Sequence, residues 1–304
     1  MKRRDFVVTV GAGLAGALLP PLPQLRIERF VERWSWVMGQ AVHIMVFAES
    51  EDHGLEACAW ALAELRRIEA TFSLFDDASE LCELNRRAGK RSLRGSLEFM
   101  WLVRHADSLR EVTGGAFNPA VEPLMRVWGF HHARRTLPTT VELAAARKSV
   151  ATATVRSTDR EVSLPNSHTR LDLGGIAVGF GLDATARVLR GEGIARGFID
   201  VSGDCYGLGA PPGEPEGWAV QIAGSTRVVR LRDLALATSS NRQSVIELEK
   251  QVLGHVMDPV EGRPVVTQRQ ATVVSTSGML ADALSTAALV SGRTYEPQWT
   301  YFTE

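Results

Sequence analysis

The sequence predicts an α+β fold, a single large domain of two intimately packed halves that follows an N-terminal segment of different character. Strand-like and helix-like patterns of apolar residues are mixed along the chain, without the regular alternation that a doubly wound parallel sheet requires. The 304 residues, of which 45% are hydrophobic and 23% charged, are enough to bury a full core. This composition excludes a disordered or fibrous protein.

The charge balance and the cysteines exclude further classes of protein. The net charge is −1 and the body of the chain has no dense run of Lys and Arg, so nothing indicates binding to nucleic acid. Cys58, Cys82 and Cys205 are widely spaced and form no CxxC pair, which argues against a zinc site and against a disulfide framework. Cys58 stands among apolar residues at helical spacing and is predicted to lie in the core.

The N-terminus predicts export. Arg3 and Arg4 precede an apolar run, residues 7–19, that is too short and too rich in glycine to span a bilayer stably. This combination is typical of a twin-arginine signal. We therefore predict an export signal at residues 1–23, a domain at residues 24–304 and a periplasmic location, and we find no later segment that is long and apolar enough to cross a membrane.

A cytosolic alternative uses the same residues. Residues 11–16, GAGLAG, fit the GxGxxG pattern of a dinucleotide-binding loop, and residues 7–10 before them resemble a strand. Such a loop must open a helix, yet Pro20, Pro21 and Pro23 follow at once, and proline disrupts the interior of a helix. The prolines favour the export signal.

The predicted elements of the first half begin with a strand at residues 38–48. Apolar residues at helical spacing then predict a helix at 55–72, which a loop at 73–83 follows. A second amphipathic helix is predicted at 96–112, where Thr113 and two glycines stop it.

The second half shows clearer patterns. Before it, residues 134–167 predict a short helix at 141–148 and a hairpin. The elements predicted after it are a strand at 170–173, a helix at 176–189, a strand at 197–201, a hairpin of 218–222 with 228–231, a strand at 271–275 and a helix at 279–290.

Asp282 and Thr286 are candidate ligands of a hard cation. They stand four residues apart in a predicted helix, so a carboxylate on an exposed face at the helix start and a hydroxyl one turn later share that face. Two such oxygen ligands suit Mg²⁺ and would be poor for zinc. In the structural alternative, the aspartate complements the helix dipole and the threonine bonds to its own helix. Taken alone, this segment favours the structural alternative.

Residues 171–179, LDLGGIAVG, are predicted to form a strand, a glycine turn and the start of a helix, with Asp172 at the strand end. Glycines let a ligand approach the backbone while helix amides face it, so this unit is a candidate cradle for a diphosphate. The same pattern is equally compatible with a tight structural turn.

Two more segments carry chemistry. Asp258 to Gly262 match the turn pattern Asp-Pro-x-x-Gly, and His255 at its entrance is a candidate proton acceptor, although a lone histidine is usually structural. Residues 114–130 bring glycine, aromatic and amide groups together where a flat ring fits.

These four segments, in this order, resemble the ApbE family of FAD:protein FMN transferases over roughly residues 36–292. Further matches are WVMG at 36–39, FSLF at 72–75, SEL at 79–81 with Asn85, and ATSS at 237–240. Each match is weak alone, and the shared order of all eight carries the resemblance. It implies a T-fold-like domain.

The resemblance also implies site residues. The positions that would line the FAD site are Met38, Phe75, Ala116, Phe117, Asn118, Asp172, Val178 and Met257. Mg²⁺ would be held by Asp282, Thr286 and the backbone carbonyl of Gly175. His255 matches the histidine implicated in transfer, and Asp258 is expected to orient its imidazole.

The sequence departs from the family pattern in three ways, which are expected to affect the catalytic rate more than FAD binding. Val178 stands where the family often has lysine or glutamate, which removes a charged contact, and Asn118 stands where it often has aspartate. The chain also ends within twelve residues of Gly292, where relatives usually continue with another strand and helix.

The activity that the resemblance implies is Mg²⁺-dependent transfer of FMN from FAD to a Thr or Ser hydroxyl of a partner protein, with release of AMP. The implied acceptors are NqrC- or RnfG-like subunits or an NosR-like regulator, and the acceptor would provide the only association with the membrane. An FAD pyrophosphatase and a non-catalytic FAD-binding protein remain the alternatives.

Overall fold

The computed structural model describes residues 28–242 and 245–303. The export signal predicted at residues 1–23 lies outside these residues. Within the described ranges, no helix has the length and the apolar character that a membrane crossing requires. The helices there are α1 Glu51–Phe72, α2 Glu80–Arg87, α3 Leu97–Val112, α4 Glu122–Trp128, α5 Thr140–Ala151, α6 Gly174–Gly191 and α7 Gly278–Ser291, with a 3₁₀ turn at Pro119–Val121.

One antiparallel sheet organises the molecule, and its seven strands follow the order β1-β2-β5-β6-β9-β14-β15. These strands are β1 Arg29–Val37, β2 Gln40–Ala48, β5 Arg196–Val201, β6 Asp204–Leu208, β9 Leu234–Ser240, β14 Gln270–Ser275 and β15 Trp299–Thr303. Small hairpins are formed by β3 Arg156–Ser157 with β4 Val162–Ser163, β7 Trp218–Gln221 with β8 Val228–Leu231, β10 Val245–Leu248 with β11 Gln251–Gly254, and β12 Met257–Asp258 with β13 Arg263–Pro264.

Helices α1, α6 and α7 cover one face of the sheet and bury the main core. Strand β2 shows why the sheet has such a face, because alternate residues Val42, Ile44 and Val46 are fully buried. Helix α1 contributes residues at helical spacing, and Cys58 lies among them without exposure, which confirms its predicted place in the core.

Helices α6 and α7 approach each other unusually closely at two glycines. A Cβ atom built on Gly179 would lie 2.1 Å from the carbonyl oxygen of Gly278, and one built on Gly278 would lie 2.5 Å from the carbonyl oxygen of Gly179. Only residues without a side chain permit this contact. The contact places the start of α7 directly against α6 at Gly179.

Most predicted elements are confirmed, and two are wrong. Helix α2 begins at Glu80, inside the predicted loop 73–83, because Ser79 caps it by accepting a hydrogen bond from the amide of Cys82. Residues 170–173 form no strand, because their backbone bonds to the Asn85 side chain and to a carbonyl rather than to a neighbouring strand. After the last predicted helix, β15 adds an edge strand to the sheet.

Candidate active site

Helix α7 presents Asp282 and Thr286 to the space between α6 and the sheet. Its first turn is held by Asp183 of α6, whose carboxylate accepts hydrogen bonds from Ser277 Oγ (2.8 Å) and from the amides of Gly278 (2.6 Å) and Met279 (3.1 Å). A carboxylate at a helix N-terminus satisfies free amides and complements the helix dipole. The sequence analysis missed Asp183, since only the packing of the two helices brings it to this position.

Asp282 is buried, which corrects the expectation of an exposed carboxylate. Its Oδ2 accepts a hydrogen bond of 2.9 Å from the amide of Gly179. Burial raises the pKa of Asp282 well above its ordinary value, and the nearby carboxyl group of Asp204 raises it further, while the Gly179 hydrogen bond opposes both. Loss of water likewise raises the pKa of Asp204 to about 7. The site thus holds two carboxyl groups whose ionisation the protein alone disfavours.

Thr286 lies among other oxygen groups. Ser239 Oγ of β9 is 2.8 Å from Ser285 Oγ and 3.1 Å from Thr286 Oγ1. A Cβ atom built on Gly175 would lie 3.4 Å from Thr286 Oγ1 and 3.6 Å from a ring carbon of Phe117. Four segments that are distant in the chain therefore meet here.

The residues present fit a hard cation. Gly175 departs from helical geometry, with φ −88° and ψ 20°, so its carbonyl is rotated relative to those of a regular helix. Together with the Asp282 carboxylate and the Thr286 hydroxyl it supplies the oxygen donors that Mg²⁺ prefers. Among the described residues there is no group of three or more His, Cys, Asp or Glu side chains arranged for a metal.

Asp172 is fixed at the start of α6 by backbone and side-chain contacts. The buried side chain of Asn85 accepts a hydrogen bond at Oδ1 from the backbone amide of Leu171 (2.8 Å) and donates one from Nδ2 to the carbonyl oxygen of Leu171 (2.9 Å). The backbone amide of Asp172 donates to the carbonyl oxygen of Pro119 (2.7 Å). Asp172 Oδ1 accepts from the amide of Gly174 (2.7 Å). The Asp172 carboxylate is therefore hydrogen-bonded to the Gly174 amide, which is the first amide of the predicted diphosphate cradle.

His131 is a further member of this region that the sequence analysis missed. Its Nε2 lies 3.1 Å from Asp172 Oδ2, and its Nδ1 lies 3.6 Å from Oε1 of the buried Glu122. Burial by itself lowers the pKa of His131, but the carboxylates of Asp172 and Glu122 outweigh it and raise the pKa to about 9. The imidazole is therefore charged at neutral pH. Its place directly after the segment at 114–130 was the only local signal in the sequence.

Five of the eight predicted FAD-site residues fall into three local groups. Phe75 is exposed and meets His131 edge-on, with ring centroids 6.0 Å apart. Met38 lies in the β1–β2 turn with φ 57°, its sulfur 3.7 Å from a Cβ atom built on Gly181 of α6. Val178 and Phe117 are buried in the main core, against which the half-buried Ala116 packs.

Asn118 and the predicted catalytic turn share a cavity. This cavity of about 410 Å³ is lined by Gly115, Asn118, Arg147, Lys148, Val150, Ala151, Pro259 and Val260. Asn118 also caps the 3₁₀ turn, its Oδ1 accepting from the amide of Ala120 at 2.9 Å. The residues that follow Asp258 are therefore neighbours of a predicted flavin residue.

The turn at 258–262 is confirmed. Asp258 Oδ1 accepts hydrogen bonds from the amides of Val260 (2.8 Å) and Glu261 (2.9 Å), and its carbonyl oxygen accepts from Gly262 (2.8 Å). His255 is half-buried at the entrance of this turn, and Met257 is buried against α4 and α5. Asp258 thus has a defined part in shaping the turn that presents His255.

The class of protein that the fold and the site define is an antiparallel α+β domain with a polar, oxygen-rich site on the face of its sheet that the helices cover. The profile of the ApbE family matches residues 38–301. The chain belongs to the ApbE family, as the sequence motifs predicted.

Relatives and solved structures agree. Proteins named FAD:protein FMN transferase from Vibrio cholerae and Treponema pallidum are each 28% identical to the chain; the matches cover 75% of it in both cases, and 71% and 69% of the relatives. The ApbE protein from Thermotoga maritima superposes with a TM-score of 0.77 at 25% identity, covering 86% of this chain and 87% of that one. The flavin transferase ApbE from Vibrio cholerae gives a TM-score of 0.74 at 24% identity, covering 91% and 97%. The predicted fold class is confirmed, and the prediction that the chain is a transferase is confirmed by the relatives' names.

Proposed function

We propose that this chain is an FAD:protein FMN transferase that uses Mg²⁺ to move FMN from FAD to a Thr or Ser hydroxyl of an exported redox partner, releasing AMP. The observation that carries the proposal is the proximity of Phe117 and Thr286 to Gly175: a Cβ atom built on Gly175 would lie 3.4 Å from Thr286 Oγ1 and 3.6 Å from a ring carbon of Phe117. A predicted flavin-site residue and two predicted cation ligands are neighbours there. Membership in a family whose relatives carry this name supports the same activity.

The chemistry requires two kinds of help from the protein. The diphosphate of FAD is anionic and repels an oxygen nucleophile, and Mg²⁺ held by Asp282, Thr286 and the Gly175 carbonyl would neutralise that charge. The Gly179 amide orients Asp282, and Ser239 orients Thr286, through the hydrogen bonds described above.

His255 is the proposed general base. The proton of the acceptor Oγ–H passes to the imidazole as the oxygen forms a bond to the phosphorus of the FMN half. The bond between that phosphorus and the bridging oxygen breaks, and AMP leaves with the bridging oxygen. The product is FMN joined to the acceptor by a phosphoester.

The location of His255 fits a partner-facing role. It enters a turn whose residues Pro259 and Val260 line the cavity that also contains Asn118. Acceptors of the NqrC, RnfG or NosR kind would present their hydroxyl on this side, and a periplasmic location would place the enzyme with them. The acceptor would be the only link to the membrane.

Incubation with FAD, Mg²⁺ and a candidate acceptor tests the proposal. Fluorescent, covalently labelled acceptor in a denaturing gel is the expected result. Free FMN plus AMP without labelled acceptor would identify a pyrophosphatase, and bound but unchanged FAD would identify a binding protein; either outcome contradicts the proposed transfer.

His255→Ala tests the base directly. Flavin affinity should stay within experimental error of wild type, because the proton transfer occurs only in the transition state, whereas labelling should fall by about 10²–10⁴-fold. Asp258→Asn is the matched control, since the Asn oxygen still accepts from the amides of Val260 and Glu261. It should lower labelling less than His255→Ala. Parallel loss of binding and labelling in His255→Ala would assign the histidine a structural role.

A further inference from the structure

We infer that His131 is a positioning residue of the flavin site: its imidazolium, anchored by the buried Glu122, holds and neutralises the Asp172 carboxylate against which the flavin nucleotide binds. The inference rests on the proposed function, because Asp172 is assigned to the FAD site there. It adds His131, which no sequence motif contains, and assigns a role to Glu122, which lies within the segment at 114–130.

The geometry places His131 between three elements. Nε2 lies 3.1 Å from Asp172 Oδ2 before α6, Nδ1 lies 3.6 Å from Glu122 Oε1 at the start of α4, and the ring meets the edge of Phe75 after α1. Asp172 is also tied to the Asn118 segment through the carbonyl oxygen of Pro119. His131 is therefore the side chain that connects predicted flavin-site residues from otherwise separate segments.

Charge gives the reason for such a residue. An uncompensated carboxylate at Asp172 would repel the anionic diphosphate of FAD, and the interaction is strong where water is largely excluded. Glu122 and Asp172 contribute two negative charges, while His131 and Arg126, whose Nε lies 2.8 Å from Glu122 Oε1, contribute two positive charges. The cluster is thus balanced, and Asp172 can face an anionic ligand.

Hydrogen bonding explains how the Asp172 carboxylate is oriented toward a ligand. Asp172 Oδ1 accepts from the Gly174 amide and Oδ2 from His131, which leaves one lone pair on each oxygen for a hydroxyl or N–H donor of the ligand. On the other side of the imidazole, Glu122 is 1% exposed, and its Oε2 has no hydrogen-bond partner among the described residues. The Glu122 carboxylate is therefore held through Oε1 alone, by Arg126 and His131.

Replacement of His131 tests the inference through FAD affinity. His131→Leu should raise the Kd for FAD, measured by quenching of flavin fluorescence in the absence of acceptor, by about 10-fold or more, because a charge-assisted hydrogen bond to Asp172 is lost. Labelling of acceptor at saturating FAD should change by less than about 3-fold, since the effect belongs to binding. His131→Gln, which retains a donor for Asp172, should recover part of the affinity.

Two controls separate positioning from a structural role. His132→Leu changes the exposed neighbouring histidine and should leave the Kd unaltered. Glu122→Gln should weaken FAD binding less than His131→Leu, and its effect should largely vanish in the His131→Leu background, because Glu122 acts through His131.

The outcomes distinguish this inference from the proposed function. Wild-type protein that fails to bind FAD would overturn the proposed function and with it the role of His131. Wild-type protein that binds FAD, together with folded His131→Leu that binds it equally well, overturns the inference alone. A lower melting temperature of His131→Leu with an unchanged Kd for the folded fraction also overturns it.

Discussion

Asp282 combines a buried position with a carboxyl group whose pKa is raised, and its Oδ2 accepts a hydrogen bond from the Gly179 amide. His131 shows the opposite balance, since two carboxylates raise its pKa and keep it charged. Different outcomes are therefore expected when the two residues are replaced. The negative charge of an ionised Asp282 would be balanced by a bound cation, whereas the positive charge of His131 is balanced by carboxylates of the protein itself.

Asp282→Asn should reduce Mg²⁺-dependent release of AMP from FAD by about 10²-fold or more, since a metal contributes several kcal/mol of charge stabilisation. The melting temperature should stay equal or rise, because the amide oxygen still accepts from Gly179 and a buried carboxyl group whose ionisation is unfavourable is removed. AMP release and thermal melts measured together check this. Asp159→Asn, at a fully solvated carboxylate, should change neither quantity; full activity in Asp282→Asn would remove the residue from the cation site.

The raised pKa of His131 predicts a pH-dependent stability. The folded-state pKa is about 9 and the ordinary value 6.5, so the stabilisation is complete below pH 6.5 and is lost as the pH rises through 9. The free energy of unfolding of wild type relative to His131→Gln should therefore shrink by an amount on the order of 3 kcal/mol across that interval. Urea unfolding at pH 6 and pH 9.5 measures it; a difference that is constant with pH contradicts the charged state of His131.

At the scale of secondary-structure elements, the contact between α6 and α7 decides the site. Gly179 and Gly278 let the helix backbones meet, Asp183 of α6 caps α7, and Gly179 donates to Asp282. Helix α7 is thereby fixed in rotation and in height relative to the Gly175 carbonyl. The four-residue spacing of Asp282 and Thr286 is useful only because of this fixed arrangement.

Gly179→Ala should destabilise the protein by about 1–3 kcal/mol or more, because the added methyl group would collide with the carbonyl of Gly278 and push the helices apart. FAD turnover should fall with it, since Asp282 moves away from the site. Gly191→Ala is the matched control at the end of the same helix, where a Cβ atom meets nothing within 4 Å. Its melting temperature should be unchanged or higher, and equal melting of both variants would show that α6 and α7 do not require the close approach.

At the scale of the whole molecule, the antiparallel sheet is the frame that gathers distant segments. Ser239 on β9, Thr286 on α7, Gly175 on α6 and Phe117 before the 3₁₀ turn come together on its helical face.

Residues 1–30 fused to a reporter should carry it across the inner membrane through the folded-protein pathway, because Arg3 and Arg4 precede a mildly apolar run. Reporter activity in the periplasmic fraction is the measurement. The double change Arg3→Lys with Arg4→Lys preserves the charge and should abolish export; undiminished export by that variant would show that the twin-arginine interpretation is wrong.

Sequence alone determined the family, the periodic helices and strands, and the pairing of Asp282 with Thr286, because these depend on local spacing and on the order of motifs. Tertiary structure decided the burial of Asp282, the Gly179–Gly278 contact, the cap by Asp183 and the position of His131 between Glu122 and Asp172. It also replaced the predicted strand at 170–173 with a segment held by Asn85. Most of these features depend on residues that are tens of positions or more apart in the chain. His131 and Glu122 are close in sequence, and their relative placement depends on the path of the chain after α4. Periodicity reports which face a residue occupies, whereas the partner that meets that face is set by packing.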